Sequence, residues 1–506
     1  MADSDLIEFV DRSLSEETRA EFDRRVAEQA AELADALEEG RLDNPGFGLG
    51  IELELYAVDD GGELARLPRA VFEAPCNKEL GVHNAELNTT PDPFDGDGLA
   101  SQAEKLRRNL RETRRAARRE GRELVLDAMW SVPPAEGTRS YLGDVRERDG
   151  VTIAENMSPS PRYVAIDNDI LDRTGGSVPV SVPGADHEFP SILCESLTSS
   201  IQPHLQVPDA ANFPQYYNVA LAIAGPVLAV TTNSPLAPVD LYDPADPYAL
   251  LAETAHELRI LVFEGSINDA WEKVRFPSRI ESTGETVDAL VDDHTCAPVL
   301  REWIDDGPRE TFDERFWELD HKRGTYWRWV RAVAGGQPVG RGDERSLRIE
   351  FRPIPTQPTV ADNVGVLALV AGAIRGLVAA DHPVDSLPQD AAEGSFYSAV
   401  ADGLDAELAW IDADGEPTTD SDVVYEELFA FARRGLREQG VSEGVIEEDV
   451  APLESRWESR TSPSRWKLER VREGLDDGED LETAVRGMAA EYVDRVTAET
   501  PFAEWT

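Results

Sequence analysis

Cysteine is scarce in this chain: Cys76, Cys194 and Cys296 are the only three in 506 residues. Their number is odd, their spacing wide and none forms a CxxC pair, which speaks against a disulfide framework and for reduced thiols in a cytosolic protein. Lysine is almost as rare, confined to Lys78, Lys105, Lys273, Lys322 and Lys467, so nearly all positive charge is arginine. Basic residues number 49 against 99 acidic ones, for a net charge of -50. The acid is spread through almost every segment, which argues for a solvated anionic surface and against a disordered acidic tail. Such a surface repels itself in dilute buffer and is screened in concentrated salt, where the Debye length is about 3 Å at 1 M. We read it as the mark of a salt-loaded cytoplasm. It also repels phosphate backbones and anionic lipids, so general binding to nucleic acid or membrane is not expected.

Long apolar runs are missing as well. The stretch from Val219 to Val230 contains Gly225-Pro226, and that from Val364 to Ala380 contains Arg375; both read as too short or too interrupted for a membrane span. The opening MADSDLIEFVDRSL has neither a basic nor an apolar region of secretory type. A soluble, cytoplasmic protein is the expectation.

What is present is organised by period. Residues 4–40 have helical spacing with Gly40 as a stop, and form an amino-terminal arm. IELELYAV then alternates: Ile51, Leu53, Leu55 and Ala57 lie on one face, Glu52, Glu54 and Tyr56 on the other, before a DDGG turn. A short strand is expected at HNAELNTT, a helix from Leu99 to about Glu120 and a strand through ELVLDAMW. Residues 131–190, rich in Pro, Gly and polar residues, read as extended loops with few elements of their own. A strand at SLTSSIQPHLQVP leads into a helix from about Phe213 to Val230, followed by one helix over roughly Ala245 to Phe263. RSLRIEFRPI alternates again, ahead of an apolar helix from about Val360 to Ala380. From residue 390 onward the pattern is almost wholly helical, with no strand of any strength.

Four constellations could carry chemistry. Glu52 and Glu54 share a strand face about 6.6 Å apart, which suits two ions or one ion flanked; a solvated strand face is the plain alternative. Glu86 stands between Asn84 and Asn88 in a segment poor in charge, where a hard cation or a simple Asx turn would serve. Gln202, His204 and Gln206 share a face opposite Ile201, Leu205 and Val207, and a histidine so placed can ligate a metal, contact a phosphate or be structural. Arg348, Glu350 and Arg352 alternate with Leu347, Ile349 and Phe351, as either a paired surface ladder or a metal-binding carboxylate between two phosphate clamps.

Taken in order, the E-x-E strand, N-x-E-L-N, the Q-x-H-x-Q strand, the Asn233-Ser234-Pro235 turn and R-x-E-x-R resemble the glutamate-cysteine ligase and carboxylate-amine ligase family of the glutamine-synthetase-like superfamily. The resemblance runs over roughly residues 46–380. It departs in two places: Leu53 separates two acids where the family often has three adjacent ones, and LAPVDLYDP follows the turn without a glycine-containing continuation.

The resemblance implies an α+β fold with a curved antiparallel sheet flanked by helices. With the helical pattern on either side, which the resemblance does not account for, the expected division is an arm over 1–45, a catalytic domain over 46–385 and an additional carboxy-terminal helical region over 386–506. Glu52, Glu54, Glu86, His204 and Glu350 would bind two or three magnesium ions, with ATP as co-substrate. Arg348 and Arg352 would be the catalytic cations, and Arg275, Arg279, Gln206 and Asn233 would face the nucleotide. The implied reaction activates a carboxylate as an acyl phosphate that an amine attacks, in the manner of a γ-glutamyl ligase. Its partners would be small molecules, an amino acid carboxylate and an amine, with self-association left open. A silent nucleotide- or amino-acid-binding regulator and a phosphotransferase on the same scaffold are the other readings.

Overall fold

The computed structural model describes residues 3–268, 271–304, 307, 310–339 and 345–505. Its centre is one antiparallel sheet. In chain order its strands are β1 (Gly48–Val58), β2 (Asn77–Lys78), β3 (Asn84–Asn88), β4 (Asp92–Pro93), β5 (Glu123–Val125), β6 (Ile201–Gln206), β7 (Val330–Ala334) and β8 (Leu347–Phe351). They lie in the order β7-β8-β6-β1-β3-β2, with β4 and β5 also paired to β1. Alternation decides the faces. Leu49, Ile51, Leu53 and Leu55 point from β1 into the core with no more than 1% exposure, while the acids of β1 point the other way. With helices packed around this sheet, the fold is α+β.

Two apolar helices, Phe213–Thr231 and Val360–Ala379, pack against each other behind the sheet. The second is long and apolar enough to cross a membrane despite Arg375, which corrects the reading from sequence. Yet 89% of its apolar window is buried by protein, so it is the spine of the core. Its glycines are dictated by the neighbour: a Cβ on Gly376 would lie 1.9 Å from the Phe431 carbonyl oxygen. The helix Ser421–Glu438 can therefore approach at backbone distance.

Several local expectations change. Residues 131–190 hold two helices, Thr138–Leu142 and Pro161–Thr174, and two hairpins, Val145–Arg148 with Val151–Ala154 and Val178–Val182 with Ala185–Phe189. The first hairpin turns on Asp149-Gly150, both with positive φ (48° and 87°), the conformation that Asp-Gly accommodates well. The helix expected over 245–263 is two, Pro247–Glu253 and Leu258–Ile267; the break lets buried Glu257 accept the Asn233 N–H at 3.0 Å. The arm is also two helices, Asp3–Leu14 and Glu16–Glu38. The carboxy-terminal region includes a two-residue hairpin, Trp410–Ile411 with Pro417–Thr418.

The carboxy-terminal helices are seated in the same core as the sheet. Lys467, 3% exposed, pairs with Asp127 just beyond β5 and donates to the Asn233 carbonyl at 2.7 Å. Arg456 pairs with Asp362 at 2.9 Å, both buried. The arm is tied down as well, through Arg25 and Gln29 to buried Glu318.

Candidate active site

Strand register assembles the polar face. Glu54 lies opposite Glu86 of β3, Glu52 opposite Gln202 of β6, and His204 opposite Glu350 of β8. Ligand atoms of Glu52, His204 and Glu350 all come within 4.8 Å of one another. Glu52 Oε1 is 3.4 Å from His204 Nε2, and that nitrogen is buried without a hydrogen-bond partner. Arg348 Nε donates to His204 Nδ1 at 3.1 Å, which leaves Nε2 as the protonated position of a neutral ring. Ligation of a cation through Nε2 would thus require Arg348 to release Nδ1.

A continuous hydrogen-bond array crosses three strands. Glu54 accepts from the Ser200 N–H at 2.6 Å and from Gln202 Nε2 at 3.2 Å. Gln202 accepts from Arg352, which also donates to Glu350 at 2.6 Å. Glu350 is then gripped bidentately by Arg331 at 2.9 and 2.7 Å. Burial alone would raise the Glu350 pKa, but Arg331 and Arg352 hold it well below the usual carboxylate range. Burial is likewise outweighed at Glu52, by His204 and Arg352, and its pKa is lowered.

The opposite corner is not neutralised. Burial raises the Glu54 pKa despite Ser200 and Arg352. Burial, then Glu79, Glu52 and Glu54, push Glu86 well above its ordinary value. Glu79, half-buried just after β2, is raised to about 8 by burial and then by Glu54. Neighbouring carboxylates therefore raise the cost of charge at Glu79 and Glu86, and a divalent cation is the group that relieves such crowding.

A cavity flanks the cluster on each side. One, of about 130 Å³, is lined by Gly48, Gly50, Glu52, His204, Gln206 and Arg348. Glycine at position 50 leaves that space open: a Cβ there would clear its nearest neighbour, His204 Cβ, at 3.7 Å but would fill the floor. The other, of about 210 Å³, is lined among others by Glu54, Glu79, Arg162, Tyr163, Glu195 and Arg352. Arg348 and Arg352, four residues apart on one face, thus line opposite cavities.

Residues 48–499 match the model of glutamate-cysteine ligase family 2. The chain belongs to this family. Its membership reaches past the carboxy-terminal limit of the resemblance seen in sequence, and it supports an ATP-dependent carboxylate-amine ligase. Among solved structures, the chain is similar to the glutamate-cysteine ligase of Francisella tularensis in complex with AMP, at 13% identity over 92% of this chain and 91% of that one, with a TM-score of 0.53. It is also similar to a bifunctional glutathione synthetase from Pasteurella multocida, at 15% identity over 89% of this chain and 52% of that one, with a TM-score of 0.49. At such identity the Francisella likeness speaks for the fold. Comparison with characterised proteins finds no sequence match.

In this family-2 chain the structure brings Glu52, Glu54, Glu86, His204, Glu350, Arg348, Arg352 and Gln206 onto one face. Gln206 also fastens a loop over the smaller cavity, accepting from Val339 N–H at 2.9 Å and donating to the Gly46 carbonyl at 2.9 Å. Asn233 is not there. It is fully buried, donating to the Thr356 carbonyl at 2.7 Å and Tyr492 Oη at 3.0 Å, so it is a structural residue and not one facing nucleotide. Arg275 and Arg279 line a separate basin of about 620 Å³ with Arg323, Arg328 and His294. That basin is the larger, but the carboxylate cluster does not line it.

Sequence reading missed Glu79, Arg331, Arg162 and Glu195. Glu79 follows a two-residue strand with no period to read, and Arg331 is one arginine in YWRWVRAVA. The Arg162 guanidinium has no hydrogen bond from its buried Nε, at the start of a helix in the segment read as loop.

Proposed function

We propose that this chain is an ATP- and magnesium-dependent ligase that joins an amino acid carboxylate to an amine, with glutamate as the acid and γ-glutamyl transfer as the reaction. The observation that carries this is the cluster of Glu52, Glu54, Glu79 and Glu86 between two cavities, one beside Arg348 and one beside Arg352. The raised pKa values of Glu54, Glu79 and Glu86 fit a bound divalent cation, which His204 Nε2 would meet once Arg348 releases Nδ1.

Glu52, Glu54, Glu79 and Glu86 would hold two or three magnesium ions, joined by His204 and Glu350. Glu350 keeps lone-pair capacity, since three donors occupy a group with about four acceptor sites. Bound magnesium would neutralise phosphate oxygens during transfer. The protein does the rest. Arg348 faces the smaller cavity and stabilises phosphate charge there, while Arg352, anchored by Glu350 and Gln202, meets the oxygens passed to the acceptor. Arg162, which lines the 210 Å³ cavity, offers a cation to the acid's own carboxylate.

ADP release tests the reading. It should require magnesium, an acid and an amine together, in molar potassium chloride. No release with any amino acid pair would reject a ligase. Release with the acid alone, leaving a stable phosphorylated product, would make the chain a phosphotransferase instead.

A further inference from the structure

One carboxyl in the 210 Å³ cavity is left out of every array described above. Glu195 lies in the 3-10 helix Ile192–Leu197, 8% exposed, and its Oε1 is buried with no hydrogen-bond partner. The cavity it lines is the one that holds Glu54, Glu79, Arg162 and Arg352.

Its neighbour shows what a structural acid looks like in this fold. Asp167 is fully buried and satisfied: Ser191 Oγ donates to one oxygen at 2.8 Å and the Ile192 N–H to the other at 2.9 Å. Glu195 has no comparable donors; Thr198 uses only its backbone carbonyl. Native proteins seldom bury a polar group without a partner, and one left so calls for a reason such as a catalytic role or a bound ion. Burial, then Asp167, push its pKa well above the carboxylate range, so the resting group is a neutral acid. A cation entering the cavity supplies the missing counter-charge and reverses that shift.

We propose that Glu195 recognises the ammonium group of the amine substrate, giving its own proton to solvent as that group enters and then taking one from it so that the free amine can attack, and so selects cationic amines over neutral nucleophiles at this site. The inference rests on the ligase reading and adds the side chain that chooses the amine. Arg162 and Glu195 then present opposite charges across one small cavity, which suits zwitterionic substrates.

Glu195→Gln keeps the size and removes the charge. With L-glutamate, ATP and magnesium in molar potassium chloride, the variant is compared with the parent on L-cysteine, whose amine arrives protonated, and on hydroxylamine, which is neutral. The KM for L-cysteine should rise roughly tenfold or more, while hydroxamate formation and the KM for ATP stay within about twofold of the parent. Equal losses on both nucleophiles, or no loss on L-cysteine, would overturn the proposal. If the parent turns over neither nucleophile, the glutamate reading fails and Glu195 is judged by binding. Some member of a panel of standard amino acids and simple amines, with ATP and magnesium present, should then raise the Tm of the parent and not of the variant; a panel without such a member overturns the proposal. Glu195→Met should unfold at or above the parent's midpoint, because an unpaired buried carboxyl stabilises nothing; a lower midpoint would make Glu195 structural and overturn the proposal as well.

Discussion

Glu54 and Glu86 face each other across β1 and β3 as register partners, two like charges where a ladder ordinarily places complementary ones. With Glu79 beside them, this side of the sheet is more stable protonated or metal-bound than bare.

The pH dependence follows. Glu79 titrates at about 8 in the folded chain, against 4.5 ordinarily, so the folded state keeps a proton that the unfolded chain has lost. Metal-free stability is fullest below the ordinary value and falls as pH rises through the window to about 8. Magnesium competes with these protons, and its effect should grow across the same window. Thermal unfolding with and without magnesium, at about pH 5.5 and about pH 8.5, measures this; equal shifts at both ends would remove the cluster as the cation site.

Glu86→Gln should separate stability from function. Removing one of the crowded acids raises the metal-free Tm, while ADP release falls by roughly a hundredfold, or about 2.7 kcal/mol of barrier. A variant less stable than the parent, or one still active, would place Glu86 outside the cation site.

Arg331 grips Glu350 from the neighbouring strand. Arg331→Met leaves that buried carboxylate to Arg352 alone and should cost about 3–5 kcal/mol in denaturant unfolding. Combining it with Glu350→Met restores most of the stability but no activity. Activity in the stable double variant would show that Glu350 serves the fold and not the reaction.

Lys467 reaches from the carboxy-terminal helices to Asp127 and Asn233; Asn233 in turn donates to Thr356, whose hydroxyl donates to the Glu54 carbonyl at 2.8 Å. Lys467→Met should lower stability by about 3–5 kcal/mol, and Lys467→Met with Asp127→Asn should recover part of that. Additive losses in this double-mutant cycle would mean that the two residues do not act as a pair.

Much of this was legible beforehand. Alternation put Glu52 with Glu54, Gln202 with His204 and Gln206, and Arg348 with Glu350 and Arg352, because a strand's period of two assigns each residue a face. Helical spacing likewise marked the helices that became Phe213–Thr231 and Val360–Ala379. A period says nothing of the neighbour across the ladder. The meeting of Glu54 with Glu86, His204 with Glu350 and Glu350 with Arg331 comes from pairings between distant segments. Glu79, Arg162 and Glu195 reach the site from beside a short strand, a helix start and a 3-10 turn, where no repeat exists to read. Asn233 had the right motif, yet packing buried it among Thr356, Tyr492 and Lys467. What the sequence by itself determined was which residues share a face; tertiary structure decided which charges meet there unpaired, since only three-dimensional packing sets distance and burial.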